Sequence, residues 1–183
     1  LMQVVKVDNK VFIGKNIIHT AVFKRKDLRT IYNMIYRDGK NGTYFVKRFS
    51  VTGVTRDKAY DLTQGKLDSE LHYFSANPNG EAEIVSINLR NSGSIKKLKW
   101  DLDFADYLIK GRNSKGNIVT KYTIRKNGIE LKEKGKSTLK PREIWIDTAV
   151  QRLNTDGRGK LLGAFKGGDK LLEITGNASA RVM

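Results

Sequence analysis

The 183-residue sequence contains no cysteine. Disulfides, thiolate metal sites and cysteine nucleophiles are excluded together, and a reducing compartment fits. Histidine occurs only at His19 and His72, neither with neighbours at metal-ligand spacing, so both read as ordinary strand residues. Proline also occurs only twice, and no stretch shows the 3.6-residue period of an amphipathic helix. The lack of a basic amphipathic helix argues against an anionic membrane surface as the partner. No apolar run approaches bilayer-spanning length, and Leu1 to Val5 lacks the basic start and apolar core of a signal peptide. Negative charge is scarce as well. Nineteen acidic residues stand against 35 Lys and Arg, a formal net charge of +16.

The cationic excess is spread along the chain rather than gathered in a tail. It is +9 over residues 1–60, 0 over 61–100, +4 over 101–150 and +3 over 151–183. Such a distribution belongs to a folded surface whose natural partner is a polyanion, nucleic acid first. A core is affordable at this length, and short β-branched and aromatic runs between turn residues predict an all-β fold.

One stretch organises the rest. Tyr36 to Phe49 places a basic glycine turn before an aromatic strand, and relatives occur at Lys110 to Tyr122 and Asn154 to Phe165. Aligned on Gly42, Gly116 and Gly159, each has Lys or Arg just before the glycine. Each also has an apolar pair after it: Tyr44-Phe45, Ile118-Val119 and Leu161-Leu162. Gly116 and Gly159 lie 43 residues apart, suitable for one four-stranded blade, whereas Gly42 and Gly116 lie 74 apart. Most of that excess falls in the polar stretch Thr52 to Glu70, which reads as an insertion.

The remaining expectations follow from pattern. Val4 to Ile18 predicts a hairpin turning at Asp8-Asn9, and Ile17 to Phe23 a further strand. Thr30 to Tyr36 is apolar on both faces except at Asn33, which predicts a central strand covered on both sides. On the strand after Gly42, Lys47 and Arg48 must point to opposite faces. Leu71 to Phe74 and Ala82 to Leu89 predict a hairpin about Asn77-Pro78-Asn79-Gly80, whose nearly uncharged second strand is a poor place for DNA. Trp100, Leu102 and Phe104 share one face, and the acidic face opposite reads as an outer surface rather than a metal site. Asn117 to Arg125 and Ile129 to Lys132 predict strands before a turn at Lys134-Gly135. Glu143 to Asp147 predicts a strand, and Leu171 to Met183 the opening of another hairpin about Gly176-Asn177. The chain ends inside that pattern, as expected of a piece of a longer protein.

These stretches together resemble the C-terminal domain of the A subunit of bacterial type IIA topoisomerases, the DNA gyrase and topoisomerase IV family. The resemblance is carried by Gly111 to Ile124 (GRNSKGNIVTKYTI), Ile129 to Leu139 (IELKEKGKSTL) and Glu143 to Phe165, with support from Tyr36 to Gly65. It implies a single β-pinwheel domain over residues 1–183: a propeller-like disc, three to four blades in this sequence, with DNA bent around its basic rim. It also implies a cleavage core and an ATPase subunit as partners, with ATP and Mg2+ acting there and no cofactor in this domain. A cytoplasmic, nucleoid-associated location follows. The gyrase box Q-R-R-G-G-K-G has no intact copy. The nearest pieces are Gly111 to Gly116 and Gln151-Arg152 with Gly157 to Lys160. Its absence favours a topoisomerase IV-like parent, with a gyrase-type wrapping domain as the alternative.

DNA on such a rim is held through its phosphates, largely without sequence preference. The candidate contacts are Lys40, Lys47 and Arg48; Lys110, Arg112, Lys115 and Lys121; and Arg152, Arg158 and Lys160. Lys24, Arg25 and Lys26, with Lys96, Lys97 and Lys99, extend the track. A competing class is a single-strand or RNA-binding β module using Tyr32, Tyr36, Tyr44 and Tyr122 as stacking platforms, although most of these sit in apolar strands. No acid–base or metal constellation points to catalysis. Gly167-Gly168-Asp169-Lys170 lacks the upstream glycine and following Ser or Thr of a nucleotide-binding loop, and reads as a turn.

Overall fold

The computed structural model describes residues 1–6, 15–25, 27–64, 67–93, 95–166 and 169–183. Their fold is all-β, with one 3-10 turn at Phe104–Asp106 and no α-helix among the described residues. The chain divides into two units, Leu1–Thr138 and Leu139–Met183. The first holds β1 (Met2–Gln3), β2 (Ile31–Arg37), β3 (Tyr44–Ser50), β4 (Ala59–Tyr60) and β5 (Glu70–Asn77). It continues with β6 (Ile84–Leu89), β7 (Lys99–Asp103), β8 (Ile109–Gly111), β9 (Asn117–Thr120) and β10 (Ile124–Glu133). The second holds β11 (Arg142–Asp147), β12 (Arg152–Asn154), β13 (Lys160–Phe165), β14 (Leu172–Ile174) and β15 (Ala180–Val182).

In the first unit, β2 lies between β5 and β3, and β3 also pairs with β8 in parallel and with β9 in antiparallel fashion. A second sheet runs β10-β6-β7, and a short pair joins β1 to β4. Among the described residues no sheet closes on itself. Two apolar clusters explain the layering. Ile35, Tyr44 and Val46 from the large sheet meet Val85, Ile87, Leu89, Leu102, Phe104 and Ile124. On its other face Met34, Tyr36, Phe45 and Phe49 are covered by Val51, Val54 and Leu62, with Met2 and Phe23. The predicted two-sided burial of β2 is therefore realised. The polar Thr52–Glu70 stretch supplies part of the second cover, which is how one sheet buries both faces.

Two predicted pairings and one predicted strand are corrected. β5 and β6 do not form a hairpin: β5 pairs with β2, and β6 pairs with β7 and β10. Val85, Ile87 and Leu89 alternate along one face of β6. Laid beside β5 they would extend the large sheet, whereas in a separate sheet they pack against it. Asn117 to Lys132 likewise splits. β9 joins β3, while Ile124 to Glu133 is one strand on β6, bulged between Ile124 and Ile129. The predicted strand at Ile17 to Phe23 is irregular and mostly exposed. Most of the predicted Val4–Ile18 hairpin, the Gly167-Gly168 turn and Lys26 lie outside the described residues.

In the second unit, β11 is flanked by β12 and β13, and β14 pairs with β15 in the predicted terminal hairpin.

Candidate nucleic-acid interface

The two cations on β3 point to opposite faces, as strand geometry requires, and both are buried. Lys47 is 2% exposed and Arg48 1%. Lys47 Nζ donates to the carbonyl oxygens of Leu62 (2.6 Å), Arg112 (2.7 Å) and Ser114 (3.1 Å), and lies 5.0 Å from the Phe49 ring centre. Burial pushes its pKa down to about 8, partly offset by Asp61. Arg48 donates through Nε to Asn33 Oδ1 (3.0 Å), through Nη1 to Thr138 Oγ1 (3.0 Å) and through Nη2 to the Gly80 carbonyl (3.1 Å). Asn33 Nδ2 donates onward to Glu83 Oε2 at 3.2 Å, and Ser75 also donates to that carboxylate. These are structural cations, and neither reaches a phosphate. The alternating pattern that separated them could not show that both faces are covered.

Arg112 is also committed. Its guanidinium donates to the Thr52 and Gly53 carbonyls and stacks 4.3 Å from the Tyr60 ring centre. The other described candidates are exposed: Lys24, Arg25, Lys40, Lys96, Lys97, Lys99, Lys110, Lys115, Lys121, Arg152, Arg158 and Lys160.

The glycine repeat survives in altered register. Gly42 sits at φ +69° in a hairpin tip, its N–H donating to Asp38 O at 2.9 Å while Asp38 N–H donates to Thr43 O at 2.8 Å. Gly116 and Gly159 do something else. Each has positive φ (+95° and +84°), and an added Cβ would lie 2.3 Å from Val46 O and 2.1 Å from Ile146 O respectively. Gly135 shares that geometry, with φ +60° and a Cβ position 1.4 Å from Ala82 O. Only glycine permits a backbone to cross so close to another strand. The structural repeat is therefore Lys115-Gly116, Lys134-Gly135 and Arg158-Gly159, each with an exposed cation before the crossing glycine. Lys134 was missing from the candidates because its strand partner, Gly80 to Ala82, is invisible from the local sequence.

Two of the three crossings carry a local side-chain brace. The Lys115 carbonyl accepts from Tyr36 Oη at 2.8 Å, and its ammonium lies 4.5 Å from the Phe45 ring centre. Asn154 clamps the third crossing. Its Nδ2 donates to Arg158 O (2.9 Å), and its Oδ1 accepts from Arg158 N–H (3.1 Å). Rigid turns carrying outward cations suit backbone contacts to an extended anion. The stacking-platform residues separate differently. Tyr36 and Tyr44 are buried, Tyr32 is packed on Phe49 and Phe74, and Tyr122 alone of the four is half exposed.

The family model described as "Topoisomerase C-terminal domain, Bacteroidota" matches residues 1–132. The chain belongs to this family. The matched segment covers almost all of the first unit of this topoisomerase C-terminal domain and ends before the second. Among curated proteins and solved structures no match was found. Membership ties the domain to DNA topology control, with DNA as its partner. Among the described residues no group of three or more His, Asp or Glu can hold a metal.

Proposed function

We propose that this domain binds duplex DNA through its phosphates, without sequence preference, and bends it along a basic rim for a type IIA topoisomerase. The observation that carries this reading is the trio of exposed cations before crossing glycines, Lys115, Lys134 and Arg158. The arrangement is repeated, and all three cations are exposed, Lys134 beside Glu133. Lys40, Lys110, Arg152 and Lys160 extend the set, whereas Lys47, Arg48 and Arg112 leave it. The lack of an intact gyrase box supports a topoisomerase IV-like A subunit as the parent. Its cleavage core and ATPase subunit are then the protein partners, with ATP and Mg2+ acting there in the cytoplasm. In this reading the small sheets are pinwheel blades, with β5 and β6 parting to different sheets as exchanged strands do.

Bending 20–30 base pairs by 40–90° costs on the order of 1–6 kcal/mol, so several cationic sites must act together. Ligase closure of a relaxed plasmid in the presence of the domain tests the bend. A shift in linking number is expected, and an unchanged distribution with no bend in a permuted-fragment gel assay overturns the proposal. Replacing Lys115, Lys134 and Arg158 together by alanine should flatten the salt dependence of duplex binding by about 2.7, at roughly 0.9 per phosphate contact. An unchanged slope removes the crossings from the interface.

A further inference from the structure

The β10-β6-β7 sheet gathers exposed cations at one end of its strands. Its register brings three distant segments to one end: Leu89 pairs with Ile124, Asn88 with Lys99, and Arg90 N–H donates to Thr123 O at 2.8 Å. Those segments carry Arg90, Lys97, Lys99, Lys121, Arg125 and Lys126, with Lys96 beside them, all exposed. No acidic residue occurs in 88–99 or in 117–129. At the other end, Ile84 pairs with both Asp103 and Glu133, and buried Glu83 adjoins it. Six residues of strand separate the two ends by about 20 Å.

Local geometry holds the cationic end in shape. The bulge between Ile124 and Ile129 lifts Arg125 and Lys126 out of the ladder, with Asn127 at φ +56°. Gly128 closes the bulge against the neighbouring strand, where an added Cβ would sit 2.7 Å from Asn88 O. Between the segments lies a cleft of about 250 Å³ lined by Arg90, Asn91, Ser92, Lys121, Tyr122 and Thr123. Every lining side chain carries a hydrogen-bond donor, and Tyr122 is 50% exposed.

We infer that this cleft seats the phosphodiester backbone of duplex DNA, with Arg90 and Lys121 on phosphates and Tyr122 against the intervening sugar. The inference rests on the duplex-binding reading and locates its strongest contact on the first unit. Lys121 follows the Thr120–Tyr44 pair, at the end of β3 nearest the Lys40 hairpin tip, so the track runs on toward that hairpin. A single exposed ring favours duplex backbone over single-stranded nucleic acid, which is held on successive aromatic platforms.

The test is fluorescence anisotropy of the 183-residue chain with a labelled duplex, over a salt series. Replacing Arg90 and Lys121 together by alanine should flatten the slope of log K against log salt by about 1.8. Arg90→Lys with Lys121→Ala kept should restore about half of that loss. Tyr122→Ala should weaken binding with no change of slope, and Tyr122→Phe should retain it. Wild-type binding with an unaltered slope in the double variant overturns this inference and leaves the duplex-binding reading standing. Loss of single-strand affinity alone in the Tyr122→Ala variant also overturns it. A wild-type chain that binds no duplex refutes both. Thermal unfolding curves matching the wild type establish that the variants are folded, and Arg90→Gln with Lys121→Gln is the second pair if they are not.

Discussion

Lys47 and Arg48 are neighbours on β3, and Arg90 and Lys121 are neighbours across a cleft at the end of another sheet. The first pair is enclosed, and its charge is used up on carbonyl oxygens and on the Asn33–Glu83 relay. The second pair is open, with no acidic residue nearby in its strands. A guanidinium or ammonium costs several kcal/mol to bury, so a protein that buries two must surround them with acceptors. The same chemistry therefore serves as internal fastening in one region and as a landing surface in the other. What differs is whether distant segments of the chain cover the position.

Substitution should separate the two regions cleanly. Arg48→Met leaves Glu83 buried among partners arranged for a charge, and is expected to destabilise the domain by about 3–5 kcal/mol in urea unfolding. The salt slope of duplex binding should not change in the folded fraction. Removing Glu83 as well, as Glu83→Gln, should recover part of the loss, because the two groups share one network.

Gly135→Ala tests the crossings. Positive φ together with a Cβ set 1.4 Å from Ala82 O should cost about 1–3 kcal/mol. Gly157→Ala, at positive φ but in open space, should cost less, isolating the close approach from the dihedral. Equal losses at the two positions would remove the crossing as an explanation.

Lys47 gives the smallest effect and a pH signature. Its folded pKa is lowered to about 8 from an ordinary 10.5, so between those values the unfolded chain holds the proton and the folded one does not. Stability from this group is therefore lowest below pH 8 and rises as pH climbs toward 10.5. Burial of Tyr36, whose pKa is pushed up to about 12, opposes the trend only above pH 10. Unfolding free energies at pH 7.5 and 9.5 should accordingly rise for the wild type relative to Lys47→Met. Parallel pH profiles would show that Lys47 keeps its proton in the nest of three carbonyls.

Much of the first unit was legible. The two-sided pattern of Thr30 to Tyr36 announced a covered central strand, and Asn33, the one polar break in it, proved to be the relay between Arg48 and Glu83. The glycine repeat was legible as a motif but not as a register. Gly42 matches Gly116 in local sequence, yet one closes a hairpin and the other presses on a strand from elsewhere. Partner choice was the blind spot. Two apolar runs with a good turn between them looked like a hairpin, because turn chemistry is local and sheet membership is not.

That blind spot also governed the candidate interface. Residues 61–100 have no net charge and β6 is nearly uncharged, which made this stretch look poor for DNA. Pairing with β7 and β10 then placed Lys97, Lys99 and Lys121 beside it, together with Arg125 and Lys126. The sequence by itself determined the all-β class, the basic balance and the central strand. These follow from alternation, composition and backbone sterics, which act within a few residues. Tertiary structure alone decided which cations are enclosed and which are offered to a partner. Burial depends on strands brought together from far along the chain, and local pattern carries no record of them.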